Sequence, residues 1–129
     1  MDSELEKGGE KDTLGDDGPM RMPNPERAVV DIEKLRDYCL NPAHPRGRHK
    51  ARVFLASLGL TADGAEQLRD SLLAAAYAED AVTAEWDDYG QRYVVDFTMS
   101  GPTGSAMLRS SWIVRRGENF PRLTSCYVI

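Results

Sequence analysis

Two histidines and four cations crowd the stretch Asn41-Pro-Ala-His-Pro-Arg-Gly-Arg-His-Lys-Ala-Arg-Val-Phe54 without one acidic residue. An imidazole exchanges protons near neutral pH, and arginine or lysine can hold a phosphate or a carboxylate. His44 and Lys50 are therefore the natural candidates for proton transfer. Two prolines and a glycine shape the segment as a loop leading into a helix. Neither a CxxC nor an HxxxH spacing is present. Cys39 and Cys126 are too few, and too far apart in sequence, to suggest a disulfide framework or a zinc site. No metal and no cofactor is expected.

The elements around this loop must hold it in place. Asp31 is placed to cap a first helix, in which Ile32, Leu35, Tyr38 and Cys39 recur at helical spacing until Pro42 stops it. The preceding Ala28-Val29-Val30 reads as an edge strand or a lead-in. A second helix, from near Gly47 to near Gly59, gathers Gly47, Ala51, Phe54, Leu55 and Leu58 on one face. Lys50 lies at the border of that face and His49 nearly opposite, so Lys50 can bend toward a site while His49 meets solvent. Thr61 is the expected cap of a third helix, from Ala62 to about Glu79, with Ala65, Leu68, Leu72 and Ala76 turned inward.

From Val82 the apolar period changes to two. Strands are expected near Val82–Trp86, Gln91–Met99, Ser105–Arg115 and Arg122–Val128, separated by Asp87-Asp-Tyr-Gly90, Gly101-Pro-Thr-Gly104 and Gly117-Glu-Asn. Such short turns impose antiparallel neighbours. The fold class is α+β: helices over about 31–79, packed on one face of a four-stranded antiparallel meander over about 82–128. Tyr93, Val95, Phe97 and Met99 make one apolar face. Strict alternation in the last strand sets Arg122, Thr124 and Cys126 against Leu123, Ser125 and Tyr127.

At 129 residues the chain suffices for one domain with one core. Residues 1–22 form an acidic leader that cannot bury enough surface to order itself, leaving 23–129 as the folded domain. Residues 1–25 hold seven acids against three bases, and the remainder fourteen against thirteen. A near-neutral fold lacks the broad basic face of a general nucleic-acid binder, so only a local patch can hold phosphate. No apolar run is long enough to span a membrane, and the acidic start is unlike a signal peptide. A cytoplasmic protein is expected.

Several stretches resemble a bacterial family of domains of unknown function, number 6883. They are Lys34-Leu-Arg-Asp-Tyr-Cys-Leu-Asn-Pro-Ala-His-Pro-Arg-Gly-Arg-His-Lys-Ala-Arg-Val-Phe54, Tyr89-Gly-Gln-Arg-Tyr-Val-Val-Asp96, Trp112-Ile-Val-Arg-Arg-Gly-Glu118 and Pro121-Arg-Leu-Thr-Ser-Cys-Tyr127. The resemblance spans roughly residues 23–129. Similar domains occur at the C-termini of large secreted bacterial toxins. They share Leu35-x-x-Tyr38-x-Leu40, His44-Pro45-x-Gly47-x-x-Lys50-Ala51 and Thr124-x-x-Tyr127. Helices followed by such a sheet also resemble the barnase, EndoU, colicin and RelE group of metal-independent ribonucleases, a likeness of fold alone.

What this implies is metal-free RNA cleavage, which needs a base for the 2′-hydroxyl proton, an acid for the leaving oxygen and cations for the charged phosphorane. The candidates are His44 or Lys50 for proton transfer, Arg109, Arg115 or Arg122 for the phosphate, and Thr124 or Tyr127 as hydrogen-bond donors. Each has a plainer reading. His44 can brace its own loop, Lys50 can lie over Phe54, Arg115 and Arg116 can pair with Glu118, and Thr124 and Tyr127 can be ordinary strand residues. Three classes stay open: a toxin-like ribonuclease acting on RNA, a binding module paired with a neighbouring immunity or antitoxin-like protein, and a structural domain without ligand. The ribonuclease expects the Pro42–Lys50 segment to lie over the mixed sheet face, near Arg109, Arg122 and Thr124.

Overall fold

Asp31 starts the helical layer as its sequence position predicts. In the computed structural model, which describes residues 20–129, its carboxylate accepts the backbone N–H groups of Glu33 and Lys34 at 3.0 and 3.4 Å. These are donors that a helix start leaves unpaired. Helix α1, Ile32–Lys34, widens at once into a π-helical turn, Leu35–Cys39, whose buried residues are Leu35 and Cys39. The Leu40 amide closes it on the Leu35 carbonyl at 2.9 Å. The loop before the next helix packs back on this turn, and Gly47 lies so close to the Tyr38 carbonyl that a side chain would collide with it.

Helix α2, Arg48–Leu58, buries Ala51, Phe54 and Leu58 and ends on Gly59 in the left-handed region at φ 73°. Leu55, expected on the buried face, is instead 52% exposed. It borders a groove of about 240 Å³ with Leu40, Pro42 and Leu60, so only a narrower stripe of the helix meets the sheet. Thr61 makes no side-chain cap. Ala62–Gly64 is a 3-10 turn, and α3 begins only at Ala65, running to Ala78 with Leu68, Leu72, Ala75 and Ala76 buried.

The sheet is an antiparallel meander in the order β1 (Val82–Asp87), β2 (Gly90–Ser100), β3 (Ser105–Arg115) and β4 (Arg122–Val128). Helices cover one face, where Tyr93, Val95, Phe97, Met99, Leu108 and Trp112 are buried. This is the α+β arrangement expected. Val29, in the run read as an edge strand or lead-in, makes a single parallel bridge to Arg122. The fold also begins earlier than residue 23. Met20 bridges to Ala81, and Met22 is only 2% exposed. The rest of the acidic leader lies outside the described residues.

Strict alternation fails in β4. Ser111 pairs with Ser125 but Trp112 with Leu123, which leaves Thr124 as an extra residue in a bulge. Its hydroxyl donates to the Ser111 carbonyl at 3.1 Å. As a result Leu123 and Cys126 both face the core, while the Tyr127 partner across the ladder is the outward Arg109.

Candidate functional site

The loop is anchored on the π-helical turn, where Gly47 lies against the Tyr38 carbonyl. His44 is half-buried, and its Nδ1 accepts the amides of Arg46 and Gly47 at 3.1 and 3.2 Å. Its ring meets Tyr38 edge-on with centroids 4.6 Å apart. An imidazole committed to two amides at a helix start positions α2, and hence Lys50.

Lys50 itself reaches the sheet at its β4 edge. Its ammonium stands 5.2 Å from the centre of the Tyr127 ring, within cation–π range. Tyr127 in turn faces Arg109 across the β3–β4 ladder. The Arg109 guanidinium clasps Asp96 through two hydrogen bonds of 2.9 and 2.8 Å. Its pKa is raised above the ordinary arginine value, chiefly by Asp96 and then by Tyr127 across the ladder. Beside this row, Lys34 donates to the Thr124 carbonyl at 2.6 Å. Lys50, Tyr127, Arg109 and Asp96 therefore form one line around the open edge onto the outer face.

Farther along that face Arg92, Ser111, Thr124 and Ser125 line a concavity of about 260 Å³. A neighbouring hollow of about 240 Å³ shares Arg92 and Thr124 and adds Tyr89, Ile113 and Arg115. Arg122 is fastened to Glu118 by two hydrogen bonds of 2.9 Å and lies over Phe120 at 5.0 Å. That pairing holds the Glu118 carboxyl below the usual range, as Arg92 does for Asp87. Among the described residues no three His, Cys, Asp or Glu side chains gather as metal ligands would.

Of the seven residues singled out by sequence, the fold unites Lys50, Tyr127 and Arg109. It sets Thr124, Arg115 and Arg122 along the same outer face, toward its other end, and assigns His44 to the loop. Asp96 was missed, though the signal was available. Counting outward from the Gly101–Gly104 turn places Asp96 opposite Arg109. Lys34 was missed because nothing in a linear reading brings α1 to the last strand. The two cysteines, far apart in sequence, are both free and buried in the same apolar cluster.

The model of a family described as a domain of unknown function, DUF6883, matches residues 21–129. Among solved structures, the fold is similar to a chain of a contact-dependent growth inhibition toxin–immunity protein complex from Klebsiella pneumoniae 342. That similarity has a TM-score of 0.62 and 18% identity, and it covers 78% of this chain and 99% of that chain. At such identity the likeness is one of fold. No curated protein matches the sequence. No helix among the described residues is long and apolar enough to cross a membrane.

Proposed function

The chain belongs to the domain-of-unknown-function family DUF6883, and from its fold and its edge cluster we propose that it is a toxin-like, metal-independent endoribonuclease held in check by an immunity-type protein. The observation that carries this reading is the convergence of Lys50, Tyr127 and Arg109, three groups from α2, β4 and β3. Two cations flank one phenol, a set suited to neutralising a phosphorane and supplying a proton. The 2′-oxygen attacks phosphorus while Lys50 and Arg109 neutralise the non-bridging oxygens. Tyr127 donates a proton toward the departing 5′-oxygen. Asp96, an acceptor-only carboxylate held on Arg109, takes the 2′-hydroxyl proton. Arg122, with Arg92 and Arg115, holds the next phosphate along the outer face, Thr124 keeps the bulge that turns Tyr127 outward, and His44 positions Lys50 through α2.

The described residues carry fourteen acids and fourteen bases. Long-range attraction for RNA is therefore weak, and the few cations must act by being concentrated at one place. Expression in bacteria without a partner, with RNA integrity followed on gels, tests the reading. Cleavage is expected, and Lys50→Ala, Arg109→Ala and Tyr127→Phe should each lower it about a hundredfold while leaving the melting temperature nearly unchanged. Intact RNA under these conditions removes the ribonuclease reading. A non-catalytic binding module then takes its place. One observation already favours that second reading: Arg109 and Arg122 are each clasped by a carboxylate, which a phosphate would have to displace.

A further inference from the structure

Helix α2 turns one side to the core and leaves an apolar groove open on another. Ala51, Phe54 and Leu58 are buried, whereas Leu55 is 52% exposed. A single exposed leucine is ordinary on a protein surface. Leu55 is part of a larger feature: it lines the groove of about 240 Å³ with Ala51, Leu40, Pro42, Leu60 and Ala62. Leu40 and Leu60 are buried and give the groove a fixed apolar floor. A cavity of about 150 Å³ takes up a benzene ring, so this one has room for a large apolar side chain. None of its lining residues is aromatic. A groove for single-stranded RNA would present rings on which bases stack; aliphatic walls suit a protein side chain.

The rim of the groove is cationic. From Asn41 to Ala62 the chain holds Arg46, Arg48, Lys50 and Arg52 and no acid, while the other described residues carry fourteen acids against ten bases. Arg46, Arg48 and Arg52 are exposed, and Arg52 also lines the groove. Arg48, Arg52 and Leu55 follow one another at one-turn spacing, so they share a side of the helix. Among the described residues no carboxylate pairs with Arg46, Arg48 or Arg52, whereas Arg92, Arg109 and Arg122 are each clasped by one. The complement of such a surface is an apolar side chain flanked by carboxylates.

We propose that this groove docks a partner protein through an acidic amphipathic helix, whose leucine-sized side chains enter over Leu55 while its carboxylates meet Arg48 and Arg52. The groove is walled by α2 and by the Leu40–Pro42 and Leu60–Ala62 segments, with no strand among its walls. It therefore grips side chains and gives no main-chain ladder to an added strand, which selects a helix. The apolar anchor supplies affinity, and the arginine rim supplies orientation and choice of partner. A partner seated here covers the helix that carries Lys50. The surface is separate from the candidate site, and the proposal holds whether or not the chain cleaves RNA.

The test titrates the isotope-labelled full chain, followed by amide NMR, with a synthetic helix of about 15 residues bearing leucines at one-turn spacing between glutamates. Signals from Leu40 to Ala62 should shift and saturate below about 1 mM, and the same helix with lysines for glutamates should bind at least about tenfold more weakly. Arg52→Glu should reverse that preference, and Leu55→Asp should abolish binding of the acidic helix. Both positions are exposed, so the melting temperature should hold; if either variant fails to fold, the wild-type comparison of the two peptides decides. An acidic helix that shifts nothing, or shifts signals away from the groove, overturns the proposal. So does equal binding of the lysine helix, or an oligouridylate that occupies the groove more tightly than the acidic helix. A synthetic copy of residues 1–19, with seven acids and two leucines, is the last probe. If it fills the groove and the acidic helix does not, the face belongs to this chain's own leader and the partner is ruled out.

Discussion

Ser110 is the buried polar residue of the sheet core, at 0% exposure, and it answers for two partners. Its hydroxyl donates to the Val95 carbonyl at 2.7 Å and accepts the Trp112 indole N–H at 2.9 Å. Ser110→Ala removes a small group and creates almost no cavity, so its cost isolates the polar term. The Trp112 indole, itself 0% exposed, is left with a donor facing only apolar side chains. An orphaned buried donor costs about 1–3 kcal/mol, and the lost hydroxyl bond adds to it, so about 2 kcal/mol is expected. In urea, with a slope of about 1.5 kcal/mol/M for a domain this size, the midpoint should fall by more than about 1 M. Trp112→Phe removes the donor itself. In that background Ser110→Ala should therefore cost at least about 1 kcal/mol less, a coupling that only a direct contact produces. A Ser110→Ala protein within about 0.5 kcal/mol of wild type, or additive costs in the double variant, would refute the reasoning.

Phe54→Ala should cost about 3–5 kcal/mol in the same titration, because its ring is fully buried under α2. His49→Ala, on the exposed side of that helix, should be silent within about 0.5 kcal/mol; the reverse order would mean α2 is turned the other way. The Arg122–Glu118 link makes a pH prediction. Because the Glu118 carboxyl is depressed in the fold, the link is complete above the ordinary glutamate range and is lost only as pH falls through the lowered value. A carboxyl NMR titration should show Glu118 returning to an ordinary midpoint in Arg122→Ala, and an unmoved midpoint would remove Arg122 as the cause.

Much of the fold is written locally and was legible for that reason. The strands Ser105–Arg115 and Arg122–Val128 follow from period-two patterning between glycine-bearing turns, and Asp31 from the capping needs of a helix start. Gly59 closes α2 where its sequence position predicts. The misses are tertiary. Leu55 sits on the apolar side of a helical wheel, but whether that side meets the sheet or a groove depends on the Leu40–Pro42 and Leu60–Ala62 segments. Thr61 has a capping side chain, yet the 3-10 turn at Ala62–Gly64 delays the helix past its reach. Within the candidate site, Lys50 was legible as the residue at the helix border. The role of His44 was not, because its choice between loop amides and a distant sheet is settled by how Gly47 seats on Tyr38.

The feature with the widest consequences is a single inserted residue. With Leu123 facing the core, unbroken alternation would turn Ser125 and Tyr127 inward and Thr124 and Cys126 outward, since one step of register exchanges the faces. The bulge at Thr124 reverses this for everything beyond it. Tyr127 thereby comes out to meet Lys50 and Arg109, and Cys126 turns into the core cluster that also holds Cys39. The same insertion thus builds the cation–phenol cluster on one side of β4 and returns Cys126 to the core on the other. Thr124 holds it in place from within: its hydroxyl is bonded to the Ser111 carbonyl and its own carbonyl to Lys34. A threonine that looked like a hydrogen-bond donor to substrate is, in the folded chain, the residue that turns Tyr127 outward and Cys126 inward.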